Sequence, residues 1–136
     1  MILKDLLKNK PKYVVTITQD QPAIDAVKLM AEKGISDVLI VDDNDKLVGI
    51  FTERDVVKCA NKNVPLDKAP LKNLMSTNIT TFEPTDEISS VIQVVAKEKI
   101  RHMPVVENDK IIGIITYRDL VSHVLPEVIY MAESIY

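Results

Sequence analysis

One stretch of this chain occurs twice, and that duplication limits the possible folds more than any other feature. Lys46-Leu47-Val48-Gly49-Ile50-Phe51-Thr52-Glu53-Arg54-Asp55-Val56-Val57 returns as Lys110-Ile111-Ile112-Gly113-Ile114-Ile115-Thr116-Tyr117-Arg118-Asp119-Leu120-Val121. Gly, Thr, Arg and Asp recur at an offset of 64. Upstream the offset is 65: Thr16 matches Thr81, residues 23–33 match 88–98, Ile35 matches Ile100 and Val41 matches Val106. The change falls where Asp42-Asp43-Asn44-Asp45 becomes Glu107-Asn108-Asp109. A turn there carries no core residue and tolerates deletion. Two copies of one folding unit are expected.

Each copy reads as β-α-β-β-α. Residues 1–9 form a short amphipathic helix with Ile2, Leu3, Leu6 and Leu7 on one side, echoed by Leu71-Lys72-Asn73-Leu74-Met75. A β-branched strand is expected over 13–17. A helix follows, capped by Asp20, with Pro22 in its first turn, an apolar stripe of Ala23, Val27, Met30 and Ala31, and Gly34 as its stop. Strands are expected over 38–41 and 47–51, then a helix opened by Thr52 and reaching about residue 62. Residues 63–69, with Pro65 and Pro70 nearby, read as a linker. The second copy repeats the order with a strand over 79–82, a helix over 86–98, strands over 103–106 and 111–115, and a helix after Thr116 that Pro126 breaks. Residues 127–136 read as an amphipathic segment that folds back or meets a partner. The expected boundaries are 1–66, 67–124 and 125–136. A three-stranded sheet with helices on one face leaves its other face bare, and a unit this small is marginal alone. The expected class is α+β, two units packed through their sheets about a pseudo-twofold axis.

Composition removes several functions. The net charge is −3 with no run of five like charges, so nucleic acid is not an expected partner. No apolar stretch approaches the ~20 residues of a membrane span, and the charged Met1-Ile2-Leu3-Lys4-Asp5 is unlike a signal peptide. Cys59 is the single cysteine, so neither a disulfide framework nor a cysteine metal cluster is expected. The cytoplasm is the expected location. Of 17 basic residues only three are arginine. Arg54 and Arg118 share one repeat position and Arg101 opens a strand region, which points to recognition of phosphate or carboxylate.

The recurring Thr-x-x-Asp has two compatible readings. As a cap, the Thr hydroxyl meets the first free backbone N–H groups and the acid favours the positive helix end, although Asp is shorter than the usual Glu and should reach back less well. As a site, a strand ending in Gly and running into a helix exposes N–H groups suited to an anion. Thr adds a hydroxyl, Arg a charged fork, and Asp can accept hydrogen bonds from a ribose diol. Together these spell a nucleotide. There is no nucleophile elbow, phosphate-binding glycine loop or metal-spaced His/Cys set, so an enzyme is not expected.

The duplicated unit, with Gly-Ile-Phe-Thr-Glu-Arg-Asp and Gly-Ile-Ile-Thr-Tyr-Arg-Asp at its ends, resembles a tandem pair of cystathionine-β-synthase (CBS) domains, the Bateman module. The resemblance runs from the first helix to about Val124. It implies a regulatory sensor of AMP, ADP, ATP or S-adenosylmethionine, with no required cofactor and no metal, and with ligands in clefts that borrow from both repeats. One site would use Thr116, Arg118, Asp119 and Arg101, with Val14, Val15, Ile35, Asp37, Val38 and Leu39 around the base. The other would use Thr52, Arg54, Asp55 and Ser36, with Ile79, Thr80, Ile100, His102, Met103 and Pro104. Arg101 has only Ser36 as its counterpart, Asp37 stands where His102 does, and Leu39 replaces the family's usual Pro. The sites are therefore unequal, and the Asp119 site is expected to favour phosphate. The module is expected to stand alone, to form a homodimer, and to report to an unidentified effector protein. The alternative is a ligand-independent scaffold or dimerising subunit.

Overall fold

Strand and helix patterns alternate along this chain, and the computed structural model, which describes residues 1–10 and 14–124, follows them. The order is α1 (Leu3–Leu7), β1 (Thr16–Thr18), α2 (Ala23–Lys33), β2 (Asp37–Val41), β3 (Leu47–Thr52), α3 (Glu53–Asn61), a 3-10 turn (Leu71–Asn73), α4 (Ile88–Glu98), β4 (His102–Glu107), β5 (Lys110–Thr116) and α5 (Tyr117–Val124). The class is α+β. The expected break at Pro126 and the segment after it lie outside the described residues.

Two compact units result among the described residues, one of Val15–Ile79 and one joining residues 1–10 to residues 80–124. In the first, β1 runs parallel to β2 and β2 antiparallel to β3. Side-chain alternation sends Val38 and Ile40 into a core with Ile17, Met30, Phe51 and Leu71, while Leu39 and Val41 are buried on the other face. In the second unit β4 and β5 pair antiparallel over a core of Leu3, Phe82, Val91, Met103, Val105 and Ile115.

Several local expectations need correction. The strand expected over 79–82 is one residue, Phe82, in a parallel bridge to Val105. Phe82 N–H donates to the Pro104 carbonyl at 3.0 Å and Val106 N–H to the Phe82 carbonyl at 2.8 Å. The next rung needs an N–H from residue 104, and Pro104 has none. Asp20 does not cap α2; Pro22 occupies that position, and Asp20 instead meets Lys72 at 2.9 Å. The buried stripe of α2 is Ala23, Ala26 and Met30, with Ala31 exposed. Residues 63–69 are packed rather than linking: Val64 and Leu66 lie on the core, and the carbonyls of Leu66 and Ala69 accept the N–H groups of Ile24 and Ala23.

The lead-in elements do not pack in sequence order. α1 belongs with the second repeat, and the 3-10 turn belongs with the first. Leu3 N–H donates to Asp86 O and Lys4 N–H to Pro84 O; correspondingly Leu71 N–H donates to Gln21 O and Lys72 N–H to Gln19 O, all at 2.9 Å. Ile2 bridges Glu87 as Pro70 bridges Pro22. The two lead-ins are therefore exchanged, because Leu3 and Leu71, both fully buried, each fill the core built by the other repeat.

Candidate functional site

The duplicated Thr-x-x-Asp sits where the last strand of each hairpin turns into a helix. Thr52 has an extended backbone (φ −120°, ψ 168°) and caps α3. Its hydroxyl accepts from Asp55 N–H at 3.3 Å, and Thr52 N–H and hydroxyl donate to Asp55 Oδ2 at 2.9 and 3.2 Å. At the start of α5 the same three bonds join Thr116 and Asp119, at 3.2, 2.8 and 3.1 Å. Both boxes are closed, so Asp does reach back, contrary to the expectation from its length.

In each carboxylate one oxygen, Oδ2, does all of this capping. Oδ1 takes none of these bonds. A carboxylate held by one oxygen offers the other as a fixed acceptor at a helix N-terminus, where partial positive charge favours anionic groups.

The glycines of the motif serve packing. A Cβ on Gly113 would lie 2.5 Å from Leu7 Cδ2, and one on Gly49 would fall on Met75 Sδ and 2.7 Å from its Cγ. Each glycine makes room for the last apolar residue of the lead-in lying over it.

The structure divides the remaining candidates by unit. Asp37 is opposite Thr52 across β2 and β3, and the Ser36 carbonyl accepts Glu53 N–H. His102 is opposite Thr116, and the Arg101 carbonyl accepts Tyr117 N–H. The Arg101 guanidinium lies 5.7 Å from the Tyr117 ring centroid, a cation–π contact. Arg54 and Arg118 are exposed on the first turns of α3 and α5. Val38 and Met103 point into the cores, whereas Leu39 and Pro104 are buried outside those clusters. Ile35, Ile100 and Val15 are partly buried against the cores, Val14 and Ile79 are half-buried, and Thr80 donates to Glu98 at 2.7 Å.

One residue escaped the sequence reading. Lys10 Nζ donates to Asp119 Oδ2 at 2.7 Å, from 109 positions away. Burial pushes the Asp119 carboxyl up, but the Lys10 ammonium together with the Thr116 N–H and hydroxyl outweigh it and hold it below its ordinary value. No motif marks Lys10; the only signal is length. Five residues (76–80) separate Met75 from Thr81, but eight (8–15) separate Leu7 from Thr16. Elsewhere, burial first and the Asp55 charge second push the Cys59 thiol up, which keeps it protonated and unreactive. Among the described residues no His, Cys, Asp or Glu cluster could hold a metal ion, and no helix is long and apolar enough to cross a membrane.

The sequence model of the CBS domain matches residues 3–62 and again 71–126. The chain belongs to the CBS-domain family. As a CBS pair it superposes on a CBS-domain protein of Burkholderia ambifaria with a TM-score of 0.84 and 32% identity, covering 93% of this chain and 95% of that one. The CBS pair of protein MJ0100, solved with 5′-methylthioadenosine and S-adenosyl-L-methionine, gives a TM-score of 0.80 at 26% identity, covering 93% and 97%. An uncharacterised protein of Methanopyrus kandleri is 33% identical over 79% of this chain and 56% of its own length. The inosine-5′-monophosphate dehydrogenase of Methanocaldococcus jannaschii is 30% identical over 80% of this chain but only 21% of that enzyme. The CBS pair thus spans about half of the first relative and a fifth of the second.

Proposed function

We propose that this CBS pair is a regulatory, non-catalytic module that binds an adenosyl ligand at its two Thr-x-x-Asp helix starts. Asp55 and Asp119 each accept a ribose diol, Thr52 and Thr116 meet the 5′ substituent, and the arginines of the first helical turns supply charge for phosphate. The observation that carries this reading is the division of labour within each carboxylate, with Oδ2 capping and Oδ1 left as an acceptor in both copies. The MJ0100 complex supports the class of ligand, since both of its ligands contain adenosine. The candidates are AMP, ADP, ATP, S-adenosylmethionine and 5′-methylthioadenosine. On this reading the module works as a cytoplasmic homodimer through exposed apolar residues such as Val57 and Ile92, and reports occupancy to a partner protein.

A scaffold that binds nothing is the second reading, favoured by the way Thr and Asp already satisfy each other in both caps. A melting panel separates the two. A ligand at about 100 times its Kd adds roughly 2.7 kcal/mol and raises the midpoint by several degrees. At least one of AMP, ATP, S-adenosylmethionine and 5′-methylthioadenosine should do so, with the ligand recovered unchanged afterwards. No shift from any of them favours the scaffold, and consumption of the ligand points to an enzyme.

A further inference from the structure

Lys10 is placed by packing that its own repeat does not supply. Leu7 lies over Gly113, the chain then continues in a turn with Lys10 N–H donating to Leu7 O at 3.1 Å, and the side chain reaches Asp119. The other lead-in behaves differently after its equivalent residue, Met75. Ser76 enters a bridge with Ile50, exchanging N–H and carbonyl at 3.0 Å. The added length of the first lead-in is therefore used to bring a cation to one of the two caps.

This ion pair differs from two others, Lys8–Asp5 and Lys72–Asp20. Those are solvated, with side chains 70% and 37%, and 50% and 60% exposed. Lys10 and Asp119 are 26% and 30% exposed, and the ammonium adds to two hydrogen bonds already on the same oxygen. Solvated pairs contribute little. A half-buried ammonium on a binding carboxylate changes what that carboxylate can accept.

We propose that Lys10 determines the class of adenosyl ligand taken at Asp119, favouring one with a 5′ phosphate over an uncharged nucleoside. This rests on the adenosyl reading above. A ribose diol arriving at Asp119 competes with the ammonium for the carboxylate. An uncharged nucleoside gives the displaced ammonium nothing in return, so Lys10 opposes it. A phosphorylated ligand supplies a second anion, and the ammonium can move to it as a charge-assisted contact. Arg101, held on Tyr117 beside Thr116, adds to the same preference. In the other copy the lead-in runs into its bridge with Ile50 instead, and Glu53 stands where Tyr117 does.

The test is calorimetric titration of AMP and of 5′-methylthioadenosine into Asp55→Ala protein, where only the Asp119 site remains, with Lys10 intact or changed to Met or Arg. Lys10→Met keeps the apolar stem, and its unfolding midpoint checks that the fold survives. The expected result is AMP binding about tenfold weaker in Lys10→Met, with 5′-methylthioadenosine unchanged or tighter, and the preference for AMP retained in Lys10→Arg. Equal shifts for both ligands, or no shift for either, mean that Lys10 only pins the lead-in and overturn the inference. If the unsubstituted protein binds neither ligand, the adenosyl reading fails and takes this one with it.

Discussion

At Thr52–Asp55 and Thr116–Asp119 the same three hydrogen bonds form, and each differs by only 0.1 Å between copies (2.9 and 2.8 Å, 3.2 and 3.1 Å, 3.3 and 3.2 Å). The charges around them differ in sign. Asp37, Glu53 and Asp55 accompany Arg54 at the first, whereas Lys10, Arg101 and Arg118 accompany Asp119 at the second. Duplication has kept the element that a helix needs and varied the groups a ligand would feel. The cap cannot drift without exposing backbone N–H groups, while the charged residues beside it belong to neither core cluster.

The lead-ins give the strongest test of that comparison. Leu3→Ala and Leu71→Ala should each cost about 3 kcal/mol, as buried leucines do. Their effects should fall on opposite repeats. By hydrogen exchange, Leu3→Ala should loosen residues 80–124 first, although it lies at the chain's start, and Leu71→Ala should loosen residues 15–66. Loosening in sequence order would break the interleaved account.

A smaller effect sharpens the contrast between the two caps. Removing either aspartate costs about 1 kcal/mol of capping, and Asp119→Ala should cost a few tenths more because Lys10 also loses its partner. That excess should vanish in a Lys10→Met background. It should also vanish in acid. The folded Asp119 carboxyl lies below its unfolded value of about 3.9, so the stabilisation is complete above that pH and fades as pH falls through the folded value. Urea midpoints of the unsubstituted and Lys10→Met proteins should differ at pH 7 and draw together as acid titrates the folded Asp119 carboxyl.

Much of this was legible in the sequence because duplication repeats every signal. Hairpins, the two Thr caps and the Gly34 stop each rest on local chemistry, and the αL backbone at Gly34 (φ 63°) is what a glycine there announces. Three features were not legible. The loss of the strand over 79–82 depends on Pro104 lacking a donor for a neighbour more than twenty positions away. The exchange of lead-ins depends on which core Leu3 and Leu71 enter, and the internal spacing Leu3–Leu7 is the same as Leu71–Met75. Lys10 reads as one lysine among many until α1 is seated on β5. Long-range partners of this kind leave no periodicity to find.

The central claim is that the aspartates of the two caps hold ligand as well as helix, and calorimetric titration of Asp55→Ala and Asp119→Ala with AMP addresses it most directly. Each loses a charge-assisted bond worth roughly 1.5–3 kcal/mol, or about 10- to 100-fold in affinity. The account predicts that each variant stays folded and loses one site, with Asp119→Ala losing the tighter. Unchanged stoichiometry and affinity in both variants, with only the melting temperature lowered, would contradict it and leave Asp55 and Asp119 as caps alone.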